Sequence, residues 1–243
     1  MKMRKGTTEV AQRITTQTSV TRREAIQTLG VIGLGAAVGA CGSSAAEIEI
    51  PSSCILTPRQ VEGPFFVDTG LMRRNITDGR PGVPLGVRLQ VVDADNGCQP
   101  IENAVVEIWH ADAEGAYSGF GIDDSNTADV QGESFLRGFQ MTDRNGRAEF
   151  ETIYPGWYPI RTIHIHAMVL IDGVEQVTTQ LYFDQAANDR AMSMPPYDSR
   201  GAQRVRNEDD PLVDPATLAE LSFDLEERAG GFEASHLLAI SRS

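Results

Sequence analysis

Short runs of alternating apolar residues, most of them set off by an Asn-Gly or Asp-Gly dipeptide, constrain the fold of this chain more than any other feature. Leu85–Asp95 (LGVRLQVVDAD) stops at Asn96-Gly97, and GRAEFETI starts at the Gly of Asn145-Gly146. RTIHIHAMVLI runs into Asp172-Gly173 and continues as VEQVTTQLYF. A period of two is the strand period, because successive side chains leave a pleated backbone on opposite faces. Asn-Gly and Asp-Gly suit the tight turns that join antiparallel strands, so the runs flanking Asp172-Gly173 predict a β-hairpin. AVVEIWHADA predicts one more strand. The tail LSFDLEERAGGFEASHLLAI suits a helix by its Leu and Glu content, but the Gly230-Gly231 break favours two strands, with a short helix near PATLAEL. Heptads and internal repeats are absent. The expected fold is all-β: an antiparallel β-sandwich with few short helices. Two connections, 119–135 and 184–211, are longer than joining strands requires and are expected to shape a site.

The first forty residues stand apart. Arg22-Arg23 precede an apolar stretch with five glycines between Gly30 and Gly42, a poor core helix and too short to span a bilayer. This reads as an export signal of the twin-arginine type, residues 1–40. The following VGAC resembles a bacterial lipobox, so Cys41 is expected to be acylated and to tether the chain to a membrane, with plain cleavage nearby as the alternative. Residues 41–53 would be a flexible linker and 54–243 the folded domain. The expected location is the cell envelope, as a membrane-anchored lipoprotein or a periplasmic or extracellular protein.

Residues 1–40 hold six basic and two acidic residues, so the rest of the chain is four units more negative than the −13 of the whole. No lysine follows Lys5. Such a surface repels nucleic acid, which is excluded as a partner. With Cys41 assigned to the lipid, Cys54 and Cys98 remain as an even pair in an oxidising compartment, and a disulfide between them is expected. A catalytic thiol is the weaker reading, because neither lies near a His or a helix start in sequence.

PGWYPIRTIHIH, from Pro155 to His166, places two of the four histidines on one strand face. Ile163, Ile165, Ala167 and Val169 take the other face. Two imidazoles at that spacing can reach one metal ion, though His-x-His alone is weak evidence. Zinc would be the first guess if further His, Cys or carboxylates clustered nearby, and they do not. Tyr158 lies in the loop entering the histidine strand, and Tyr117 in another loop just past a strand. Trp109 and Trp157 read as core or pocket wall. His110 is expected to face away from the site, and His236 carries no signal.

TPRQVEGPFFVD, WHADAEGAYSGF, TDRNGRAEFETIYPGWYPIRTIHIH and TQLYF resemble, in order and spacing, the intradiol ring-cleavage dioxygenases. The resemblance is strongest to the exported, single-domain branch related to protocatechuate dioxygenase. It implies one non-haem Fe(3+) per chain, held by Tyr117, Tyr158, His164 and His166. Phenolates, as hard anionic donors, suit a trivalent ion independently of the resemblance. The implied substrates are O2 and a small aromatic diol of catechol type, the implied product a muconate-type diacid. By motif position Tyr158 is the ligand that a bound catechol displaces, its phenolate taking one of the two catechol protons, and Tyr117 is the ligand that stays. Arg161 matches an arginine beside the bound ring, with a plain salt bridge as the other reading. Gln180 matches a polar residue behind the site, with simple strand packing as the other reading. Catechol dioxygenases also carry an N-terminal helical dimerisation region, and nothing between Cys41 and Leu85 looks like one, which leaves the oligomer open. A lipid-anchored β-sandwich binding module without catalysis is the competing class, but it places no demand on two Tyr and two His. A zinc hydrolase is the third, and it lacks a carboxylate-bearing His motif.

Overall fold

The β-branched alternating runs pair into two packed sheets. A computed structural model describes residues 48–51, 53–123 and 126–242. The twin-arginine segment and Cys41 lie outside the described residues. The first sheet contains β1 (Pro84–Asp93), β2 (Gln99–Pro100), β5 (Arg147–Ile153), β8 (Asp224–Arg228) and β9 (Gly231–Ile240). β1 is its centre, flanked by β9 on one side and by β5 and β2 on the other. The second sheet has the order β4 (Arg137–Met141), β3 (Val105–Trp109), β6 (His164–Ile171), β7 (Val174–Tyr182), all antiparallel.

The hairpin expected at Asp172-Gly173 forms. Ile171 faces Val174, and both turn residues take positive φ (51° and 76°), the twist that a two-residue turn between strands requires. The tail folds as the strand pair β8–β9, and the short helix α2 (Pro215–Leu221) starts at Asp214, whose side chain accepts from Thr217 N–H. One pairing departs from the antiparallel expectation: β1 and β9 run parallel, from Leu85↔Phe232 to Asp93↔Ile240. Alternation reports the strand period but not its direction, and no tight turn links two strands so far apart in sequence. β4, the two-residue β2 and a helix, α1 (Gln185–Met192), are additional. β4 (RGFQM) has no β-branched residue to announce it. α1, capped by Asp184, lies inside the second long connection and has little apolar periodicity.

Val87, Leu89, Val91 and Phe150 of the first sheet pack against Val106, Ile108, Ile165, Ala167 and Val169 of the second. These apolar residues of β6 fill the face predicted for them. Its other face, with β3, carries Trp109, His166 and Met168 into a separate cluster closed by Phe65, Tyr117 and Tyr158. The expected disulfide joins Cys54 to Cys98, with Cα atoms 5.9 Å apart. From there the chain crosses β9 and the edge of β7, through Thr57 N–H to Ala239 O and Gln60 N–H to Thr178 O, and reaches the second sheet's outer face.

Candidate metal centre

Strand register builds the floor of the site. Arg137, Trp109, His166 and Gln180 lie side by side across β4, β3, β6 and β7, and one step along, His164 pairs with Tyr182. His164 and His166 therefore project together, and their Nε2 atoms are 3.0 Å apart. The Tyr158 hydroxyl lies 3.4 Å from His164 Nε2, and the Tyr117 and Tyr158 rings meet edge to face at 5.5 Å. The structure thus brings together all four residues assigned as ligands from the sequence.

Three of the donors are each held by a separate device. His164 Nδ1–H donates to Thr162 O at 2.7 Å, which leaves a lone pair on Nε2 facing its neighbours. Trp109 stacks on His166, with ring centroids 4.8 Å apart and planes 7° from parallel. Phe65 stacks on Tyr117 at 4.5 Å. Asn126 Oδ1 accepts from Tyr117 N–H at 2.7 Å, and its amide donates to Ala128 O, closing the loop around the tyrosine. The Tyr117 hydroxyl and His166 Nδ1 are buried without a hydrogen-bond partner among the described residues.

The electrostatics fit a cation that the four donors would share. Burial, with Arg161 adding to it, holds the His164 pKa at about 3. Burial and the neighbouring His164 hold His166 well below the ordinary range, so both imidazoles are neutral ligands in waiting. Burial pushes Tyr117 well up, with the Tyr158 phenol adding to the effect, and pushes Tyr158 to about 12 against the opposing pull of Arg161. A buried phenol and a buried imidazole nitrogen, both without a partner among the described residues, are a costly arrangement without a positive ion to bind. Among the described residues no three His, Cys, Asp or Glu side chains gather, so a zinc-type donor set is missing. A hard trivalent ion such as Fe(3+) matches two phenolates and two imidazoles.

Arg161 and Gln180 are also here. Arg161 is 6% exposed; its Nε donates to both oxygens of Asp210 (3.1 and 2.9 Å) and its Nη2 to Gln180 Oε1 at 2.6 Å and Tyr182 Oη at 3.3 Å. Gln180 Nε2 donates to Val61 O at 2.7 Å, so this residue is a buried link rather than simple packing. His110 is held away from the centre: its Nδ1–H donates to Ala111 O and its Nε2 accepts from Thr152. Trp109 walls the site, whereas Trp157 packs in the main core beneath the Arg200 guanidinium.

A protein-family model described as "Dioxygenase" matches residues 61–228. The chain belongs to the intradiol ring-cleavage dioxygenases. It is 34% identical to an intradiol ring-cleavage dioxygenase of Tetranychus urticae, with a TM-score of 0.71 over 77% of this chain and 95% of that one. It is 32% identical over 148 residues to catechol 1,2-dioxygenase of Acinetobacter baylyi, covering 51% of this chain and 45% of that protein. It is 34% identical over 128 residues to the protocatechuate 3,4-dioxygenase beta chain of Burkholderia cepacia, covering 48% and 54%. The chain spans about half the length of the curated relatives it matches.

Sequence reasoning missed Tyr182, Asp210, Arg137, Asn126 and Gly63. Tyr182 carried a usable signal, since it sits two residues from Gln180 on the same strand face. Arg137 was hidden with β4; its buried guanidinium donates to the carbonyl and hydroxyl oxygens of Ser118, beside Tyr117. Asp210 and Asn126 come from the two long connections, where local pattern says nothing about which side chain turns inward.

Proposed function

We propose that this chain cleaves a catechol-type diol between its two hydroxyl-bearing carbons, inserting both atoms of O2, at an Fe(3+) held by Tyr117, Tyr158, His164 and His166. The observation that carries the reading is the convergence of two phenols and two neutral imidazoles in a buried cluster that leaves the Tyr117 hydroxyl and His166 Nδ1 without a hydrogen-bond partner among the described residues. A ferric ion bound there would supply a Lewis acid that favours loss of both diol protons, and the resulting dianion has a ring electron-rich enough to react with O2.

The chain's own residues supply the rest. Tyr158 is the ligand suited to leave: its loop is closed by a single bridge to Arg161, whereas Tyr117 is stacked on Phe65 and held by Asn126. On leaving, its phenolate accepts one diol proton at Oη, and the new phenol stays buried and neutral, as its high pKa favours. Arg161 commits Nε and Nη2 to protein acceptors, and Nη1 remains to stabilise negative charge on the ring. Gln180 fixes that orientation from behind. Trp109, with Phe66 packed on it, covers His166.

The test is metal analysis and visible absorption of purified protein reconstituted with ferric iron. One iron per chain and a red-brown colour from tyrosinate coordination are expected. A protein that takes up zinc, stays colourless with ferric iron and consumes no O2 with any catechol would overturn the reading.

Export is proposed on the same terms. Arg22-Arg23 and VGAC motivate a lipid-anchored protein of the cell envelope, and the Cys54–Cys98 bond suits an oxidising compartment. Mass spectrometry of the mature N-terminus in the membrane fraction decides it; an unmodified start beyond Cys41 would refute the anchor.

A further inference from the structure

The end of the second long connection turns a carboxylate into the protein directly behind Arg161. Asp210 has a fully buried side chain, and all of its bonds are accounted for. Oδ2 accepts from Arg161 Nε at 2.9 Å and from Thr162 N–H at 2.8 Å. Oδ1 accepts from Arg161 Nε at 3.1 Å and from Leu212 N–H at 2.9 Å. The last of these bonds lies within the carboxylate's own turn, so the carboxylate is anchored before it meets the arginine. The preceding turn adds a second brace, because Thr162 Oγ1 donates to Asn207 Oδ1 at 2.5 Å.

A guanidinium on a flexible stem has several ways to present its five N–H groups, and only some aim a free N–H at a substrate. Here the choice is made twice. Asp210 takes Nε, while Gln180 and Tyr182 take Nη2, so Nη1 is the nitrogen without a protein acceptor among the described residues. Gln180 alone could not fix the plane, since one acceptor permits rotation about its own bond. Acceptors on two different nitrogens remove that freedom. Asp210 reaches further through Thr162: its bond to Thr162 N–H sits at the turn whose carbonyl orients His164 Nδ1.

We propose that Asp210 is a positioning residue for ring cleavage, acting through Arg161 by locking the guanidinium so that Nη1 faces the bound diol. The inference rests on the catalytic reading above. It assigns a specific role to a residue of the 184–211 connection, which its length alone marks as shaping a site.

The test is a double-mutant cycle in the iron-loaded protein, using Asp210→Asn, Arg161→Met and the combination. Asp210→Asn keeps one oxygen, enough for one of the two backbone N–H groups, and loses the charge and the paired acceptance. It is expected to retain the parent's iron content and visible band while kcat falls about ten- to a hundredfold, the scale of a misaimed group. In the Arg161→Met background it should cost almost nothing more. Anaerobic binding of catechol, followed by the shift of the visible band, gives a readout independent of turnover and should change little in Asp210→Asn. Equal kcat in Asp210→Asn and parent would overturn the inference, and so would an undiminished further loss in the Arg161→Met background. If Asp210→Asn does not fold, Asp210→Glu and Arg161→Lys take its place. Each keeps the charges but shifts the fork, and parent-level turnover in both would equally overturn it. A parent protein that binds iron but cleaves no diol would refute the catalytic reading itself, and with it the inference, before any variant is made.

Discussion

Gly63 stands against the histidine pair, and replacing it with alanine tests whether that pair is held as tightly as the packing implies. Its φ is +77°, and a Cβ built there would lie 3.3 Å from His166 Cε1. Two costs add. An L-residue in the left-handed region loses about 1–2 kcal/mol. The close contact then pushes His166 by a few tenths of an ångström, and the ring cannot yield freely because Trp109 is stacked on it with near-parallel planes. For a domain of this size each kcal/mol lowers Tm by roughly 2–4 °C, so Gly63→Ala should melt roughly 2–8 °C below the parent. The displaced ligand should weaken iron binding by about tenfold, the lower end of what disturbed support around a metal ligand costs. Gly70→Ala is the control: φ is +60° there, with nothing within 4 Å of its Cβ. It should share the loss in Tm and keep the iron affinity. The assays are thermal melting of the apoprotein and chelator competition for ferric iron. If Gly63→Ala binds iron as tightly as Gly70→Ala does, His166 is not the confined ligand described above.

Tyr158→Phe should fold and hold iron through the remaining three ligands, but bind catechols slowly in anaerobic stopped flow, because the base that accepts one of the diol protons is gone. Binding as fast as in the parent would move that role to another group. Glu107, buried on β3, has its carboxyl pKa raised to about 7 by burial, with Asp68 adding to the effect. A carboxyl raised in the folded state contributes stability below its unfolded pKa of about 4.5 and loses it as pH climbs to 7. Glu107→Gln should therefore stabilise the protein by up to about 3 kcal/mol at pH 8 and by nothing at pH 4; an equal effect at both would contradict the assignment. Removing the Cys54–Cys98 bond by a double Ser substitution opens a 44-residue loop and should cost at most about 4 kcal/mol in urea unfolding. No change in midpoint would show that closing this loop contributes nothing to stability.

The sequence made the hairpin at Asp172-Gly173 and the face shared by His164 and His166 legible, because both follow from a period of two and a turn that only certain residues accept. The four donor positions were legible only through the motifs around them, since nothing local says that Tyr117 and Tyr158, forty-one residues apart, meet edge to face. The parallel β1–β9 pairing was not legible. Direction there is set by how the whole second sheet returns the chain, and no residue of either strand encodes it. Asp210 and Asn126 were hidden for a related reason: their roles depend on where long connections fold back. β4 escaped because its strand is held by pairing with β3 rather than by the propensity of Arg-Gly-Phe-Gln-Met.

If Tyr117, Tyr158, His164 and His166 hold a ferric ion at which catechols open between their hydroxyl-bearing carbons, both atoms of O2 must enter the product. Single-turnover reaction of the iron-loaded protein with catechol under 18O2, with mass spectrometry of the product, tests this most directly. A muconate-type dicarboxylate carrying both labelled atoms is expected, and none of it in a Tyr117→Phe, His164→Ala double variant. A ring opened beside the diol to give an aldehyde, or a product with a single labelled oxygen, would contradict this reading.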